Sequence, residues 1–226
     1  MRKNMIGMKT IAVIAVAVIA IIIVTMLMLI EGGEYVARVG RDRISVEEYK
    51  VYLHEQVNTF EEIGGADIWE VYFDGENPEN VAKRNALNSA IQVKVTKEKA
   101  KGKLNISLTE EEENQAVIWA RDIYNQIIEN ENIDITMAEF ENIMKEIELY
   151  YKVFEELTKN FELSEMDFEM FYREEMGEME VSREEAKEIY IAQKKIEIFQ
   201  NQYEQWEREA RIKRNNEVLE SIRVRQ

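Results

Sequence analysis

The side chains that could do chemistry are few, and most fail on spacing. His54 is the only histidine in 226 residues, and there is no cysteine. His54-Glu55-Gln56-Val57-Asn58 places Asn58 where a zinc-protease helix needs its second histidine one turn on, so neither a metal nor a histidine-assisted nucleophile is expected there. Asp74-Gly75-Glu76-Asn77 hints at a calcium loop but lacks the spaced oxygen ligands and closing glutamate, which leaves a turn. Carboxylates lie close together throughout so acidic a chain, so their proximity is no argument for acid–base catalysis, and Glu110 to Glu113 read as dipole-complementing residues of a helix start. No glycine-rich phosphate loop is present. The expectation is a protein without catalytic residues, metal or cofactor. More telling are the apolar side chains that could bind. Met166, Met170, Phe171, Met176 and Met179 crowd one short helix, and Trp69, Tyr72 and Phe73 crowd one irregular stretch. Methionine usually fills cores, but it also suits adaptable binding surfaces, and these eight residues are the candidate peptide-binding set.

The elements that must position them begin with Ile11 to Ile30, where Thr25 is the one polar side chain in twenty residues. A helix of that length covers about 30 Å, the hydrocarbon thickness of a bilayer. The run is longer than a secretory signal's apolar region and no Ala-x-Ala pattern follows it, which favours an uncleaved anchor over a cleaved leader. Arg2, Lys3 and Lys9 precede it and the first acid is Glu31. The positive-inside bias puts residues 1–10 in the cytoplasm, 11–30 in the membrane as a signal-anchor, and the rest outside the cell membrane. All 45 acids and 26 of the 29 bases follow the anchor, a formal −19. That charge excludes a basic nucleic-acid footprint and opposes clinging to anionic lipid. Without disulfides, packing alone must hold such a domain, which suits a bacterial surface.

Residues 31–34 form a short linker. Tyr35 to Val39 is β-prone, Gly40-Arg41-Asp42 reads as a turn, and Arg43-Ile44 as a second extended piece. Ser45 with Glu48 has capping-box spacing, with Ile44 stapling to Tyr49, and opens a helix that Gly64-Gly65 ends. Asn77 and Pro78 open a helix that is expected to reach Lys101 and stop at Gly102. Thr109 with Glu112 starts a helix ending near Asn130, its apolar face being Ala116, Trp119, Ala120, Ile123 and Ile127. Thr136 with Glu139, Ser164, and Ser182 with Glu185 start three more, the second ending at Gly177. Two near-heptad stripes follow: Met137, Phe140, Met144, Ile147, Tyr151, Phe154; and Ile189, Ile196, Phe199, Tyr203, Trp206, Ala210. Caps and stops interrupt these helices after a few turns, which favours a bundle over a long coiled coil. Arg211 to Arg214 could be a return strand, and residues 216–226 read as a tail.

This order of signals resembles the SurA/PrsA-like extracytoplasmic chaperone domain. The resemblance rests on Val36-Ala37-Arg38-Val39-Gly40-Arg41-Asp42-Arg43-Ile44-Ser45-Val46-Glu47-Glu48-Tyr49, on Ala86 to Val95 with the Gly102 stop and Thr109 to Glu112 cap, on Ser164-Glu165-Met166-Asp167-Phe168, and on Trp206 to Asn215. The family's opening turn usually carries Asn-Gly where Gly40-Arg41-Asp42 stands, and a Leu-Ile-Asp-Arg core where Leu87-Asn88-Ser89-Ala90 stands. Many members also carry a β-rich parvulin isomerase domain with histidines in its site, and nothing here matches one. The resemblance implies a mostly α fold: a transmembrane helix, then an all-α SurA N-like domain over 35–215 with a short β-hairpin near its start and a C-terminal return strand. It implies a chaperone-like binder of unfolded or exported polypeptides, here without the isomerase domain and its activity; the apolar run adds contact with the lipid bilayer through residues 11–30, and the acidic charge implies no nucleic acid partner. A surface scaffold docking one specific partner is the alternative.

Overall fold

The computed structural model describes residues 34–131, 133–176 and 181–224. The anchor over 11–30, most of the linker, the Gly177 stop and Met179 lie outside the described residues. Among the described residues, no helix is long and apolar enough to cross a membrane. The chain divides after Tyr35, and Val36–Gln226 forms one compact unit.

Three strands stand at its start and close. β1 (Tyr35–Val39) and β2 (Asp42–Ser45) turn about Gly40, whose φ of 58° is a left-handed conformation that glycine adopts without a Cβ penalty. β3 (Ile212–Arg214) is the return strand, antiparallel to β1 with Ala37 opposite Arg214 and Val39 opposite Ile212, so the sheet order is β2-β1-β3. Val36, Ala37, Val39 and Ile44 supply its core-facing side chains.

Helix α1 (Val46–Gly64) starts where Ser45 Oγ accepts the Glu48 amide, and Ile44 and Tyr49 are both fully buried beside it. The expected reciprocal bond from Glu48 is not made. Its carboxylate turns inward to Lys94 instead, because a buried ammonium is a stronger partner than an accessible amide. A 3₁₀ turn (Ala66–Glu70) follows Gly65, which has φ 63°. Helix α2 (Pro78–Lys99), capped by Asn77, is the central element; Ala82, Ala86 and Ala90 recur every four residues and let its neighbours α1, α4 and α6 approach closely. Its end differs from the sequence expectation. Gly102 does not stop it: the helix widens into a π-turn over Ala100–Leu104, and Asn105, at φ 55°, makes the left-handed exit while Ile106 N–H donates to Ala100 C=O.

Helices α3 (Glu110–Glu131) and α4 (Met137–Thr158) pack side by side. Both begin with reciprocal caps, Thr109 with Glu112 and Thr136 with Glu139, and Tyr124 reaches across to donate to the Ile135 carbonyl at 2.6 Å. Helix α5 (Glu165–Glu175) packs on the first half of α6 (Arg183–Glu209) in a second, smaller cluster of Phe168, Met176, Ala186 and Tyr190. The second half of α6 joins the main core through Phe199, Tyr203 and Trp206. The heptad stripe of α6 therefore splits: Phe199, Tyr203 and Trp206 reach the main core, whereas Ile189 and Ile196 are exposed. After β3, α7 (Asn216–Ser221) leads Ile222 and Val224 into the main core.

Candidate functional site

The two groups of binding residues expected from the sequence occupy different places. Trp69 is buried in the main core, stacked on Phe60 at 5.6 Å between centroids, with its indole N–H donating to Glu61. Phe73 meets Phe60 edge-on at 5.6 Å, and Tyr72 is exposed. The methionine helix belongs to the second cluster: Met176 is buried there, Phe171 sits 5.1 Å from the Tyr190 ring, and Met166 and Met170 face solvent. Arg183 lies over the Phe168 ring and pairs with Glu169, pinning α5 to α6. Asp74 and Gly75, both at positive φ, form a tight turn closed by Phe73 and Glu76. Glu76 pairs with Arg84, and the Asn77 side chain caps α2, so these oxygens already have partners. Asn58 sits with its amide nitrogen 2.9 Å from His54 Nε2, so that ring nitrogen already has a partner.

A third place sets exposed aromatic side chains beside a cavity. Between α1, α2, α3 and α4 runs a groove of about 380 Å³. Helix α3 lines it with Trp119, Ile123 and Ile127 at spacings of four, and α4 lines it with Met144, Ile147 and Tyr151 at spacings of three and four, with Tyr150 alongside. Val51 and Tyr52 of α1, Val93 of α2 and Met144 of α4 are its buried residues, and Glu55, Gln92 and His54 add polar points. Trp119 keeps 46% of its surface exposed and Tyr151 keeps 53%. Such side chains in water are a standing free-energy deficit that an apolar partner would relieve. The sequence signal for this groove was present as helix faces, but a face that meets a neighbour and a face that lines a gap carry the same periodicity.

The groove walls are held by charge. Arg121 pairs with Glu141, Lys145 with Glu113 and Lys152 with Glu112, each tying α3 to α4. Beneath, Lys94 of α2 lies 2.8 Å from Glu48 of α1 and 2.6 Å from Glu146 of α4, and Lys97 joins Glu146 to Asp42 at 2.8 and 2.6 Å. Burial pushes Lys94 down, yet the two carboxylates outweigh it and hold the ammonium above its ordinary range. Burial raises Glu48, with Lys94 only partly opposing. Asp42 is lifted by burial but pulled below the usual carboxylate range by Lys97. Tyr52, pushed far up by burial and by Glu48 and Glu146, keeps its buried hydroxyl without a hydrogen-bond partner among the described residues. The ion cluster is closed by its own charges and braces the helices that frame the groove.

Comparison with curated proteins gave no match, and comparison with solved structures gave none. A family model for the SurA-like N-terminal domain matches residues 1–161. The matched segment contains all of α1 to α4, and so every residue of the groove, while α5, α6 and the closing strand lie beyond it. This chain belongs to the SurA-like N-terminal domain family.

Proposed function

We propose that the protein is a membrane-anchored, extracytoplasmic chaperone-like binder that holds unfolded or exported polypeptides, without prolyl isomerase or other enzymatic activity. The observation that carries this reading is the apolar groove whose rim leaves Trp119 and Tyr151 half exposed. Family membership supports a chaperone-like role, and Ile11 to Ile30 supports the anchor. Covering the exposed half of each rim aromatic gains about 2–3 kcal/mol from apolar area. Association itself costs roughly 4–15 kcal/mol of lost freedom, so a single groove binds weakly and reversibly. Weak contacts suffice where an anchor concentrates the binder at the surface from which chains emerge.

The test is light scattering of a chemically unfolded client diluted into the full chain in nanodiscs, with empty nanodiscs as control. Suppression of aggregation is expected, and the double variant Trp119→Ala/Tyr151→Ala should lose most of it while keeping its far-UV spectrum. No suppression at several-fold excess of folded protein refutes the reading. Recovery of one saturable partner in place of many clients would favour the scaffold alternative, and a proline-peptide assay is expected to show no rate above background. Resistance of the chain to alkaline extraction from membranes checks the anchor.

A further inference from the structure

The groove is apolar inside and strongly acidic in its walls. Helices α1, α3 and α4 hold eighteen Asp and Glu against four Lys and Arg in sequence, and α2, with two against five, brings the four enclosing helices to a formal −11 within a chain of −16. Those four bases are spent locally: Lys50 pairs with Glu47, and Arg121, Lys145 and Lys152 with Glu141, Glu113 and Glu112. The groove's lining includes no Lys or Arg. Glu55 lies in that lining, and helical spacing sets Asp122 one turn from Trp119 and Glu148 and Glu155 one turn either side of Tyr151. These four carboxylates have no ion-pair partner among the described residues. Each rim ring thus has an unpaired carboxylate one helical turn away on its own helix.

Resting on the groove reading above, we propose that the preferred occupant is a cationic apolar segment of an unfolded polypeptide: large apolar side chains in the groove, flanked by Lys or Arg at the rim. A flanking cation would meet the Trp119 or Tyr151 ring and a free carboxylate together, which an uncharged flank cannot do. An acidic flank would be repelled by walls whose four helices sum to a formal −11. The groove therefore selects by charge at its edge and by apolarity at its floor. Salt must weaken the first and spare the second, because screening acts on exposed charges over about 10 Å at 0.1 M and only about 3 Å at 1 M.

The experiment uses the full chain in nanodiscs of zwitterionic phosphatidylcholine, with empty nanodiscs as control, and four fluorescent peptides read by anisotropy. Three share one Trp-Leu-Phe centre flanked by Lys, Gln or Glu, and the fourth has the Lys flanks with a Gln-Ser-Gln centre. The Lys-flanked apolar peptide is expected to bind about tenfold tighter than the Glu-flanked one at low salt, with Gln between them, and the spread should collapse near 1 M salt. The variant Asp122→Asn/Glu148→Gln/Glu155→Gln should narrow the spread without changing the Gln-flanked peptide. Equal binding of all three apolar peptides overturns the charge selection while leaving the groove reading standing. Equal binding of the fourth peptide also overturns it, since the contact would then be charge alone. If no peptide binds, both readings fall.

Discussion

Lys94 is only 6% exposed in the last third of α2, and its ammonium is the shared counter-charge of Glu48 and Glu146. A buried pair of this kind is weak evidence for net stability, but removing its one cation strands two carboxylates. Lys94→Ala is expected to destabilise the domain by about 3–5 kcal/mol in urea unfolding. The pH dependence has a definite sign. A carboxyl whose folded pKa is raised favours the fold below its unfolded value and loses that contribution as pH rises through the folded one. Burial already raises Glu48 against the pull of Lys94, and without Lys94 it must rise further. The deficit of Lys94→Ala relative to the parent should therefore shrink as pH is lowered toward the carboxylate range; a gap that widened would show that Glu48 is not desolvated. Nothing at this scale was legible in the sequence, where Glu48 looks like the third residue of a capping box and Lys94 like one more surface lysine.

The elements were largely legible, because helix ends are written in short-range chemistry. Ser45, Asn77, Thr109, Thr136, Ser164, and Ser182 each precede a helix, and each accepts a backbone amide two or three residues on. Thr136 and Glu139 cap each other at the start of α4, the helix that carries Tyr151. Thr136→Ala should cost about 1 kcal/mol, read as a lower urea midpoint with unchanged slope. Glu139 is held below its ordinary value by hydrogen bonds from the Thr136 side chain and amide. A lowered folded pKa gives stability that is present above the unfolded value and lost as pH falls through the folded one. Glu139→Gln should accordingly cost stability at neutral pH and cost progressively less below the ordinary glutamate pKa of 4.5. The exit of α2 was the element misread, since a glycine near a helix end marks a stop only when the chain turns left-handed there, and the chain does so at Asn105.

For the whole molecule, the core is closed by its last elements. Phe199 of α6 packs on Tyr150 and Phe154 of α4 at 5.2 and 5.5 Å, β3 returns to β1, and Ile222 and Val224 enter the same cluster. The family match ends at residue 161, so the matched helices rely on a C-terminal segment that lies outside it. A chain ended after Asn215 loses two buried aliphatic side chains worth about 1.5–3 kcal/mol each, a large share of the 5–15 kcal/mol that holds a typical domain. Its urea midpoint is expected to drop sharply. An unchanged midpoint would mean that residues 216–226 dock without contributing.

By itself the sequence determined where helices begin, that the fold is mostly helical with a short hairpin and a returning strand, and that the chain is acidic. Each of these depends on neighbours within a few positions or on simple counting. It could not determine which apolar face would be covered. Trp119 and Phe140 sit in stripes of the same kind, yet Phe140 is buried and Trp119 lies half open on the groove. Ile196 and Tyr203 are one heptad apart on α6, yet only Tyr203 reaches the core. Helical periodicity states that a face is apolar, whereas burial depends on whether another helix arrives to cover it. That arrival is set by contacts far apart in the chain, and so the groove between α1 and α4 was decided by the tertiary structure alone.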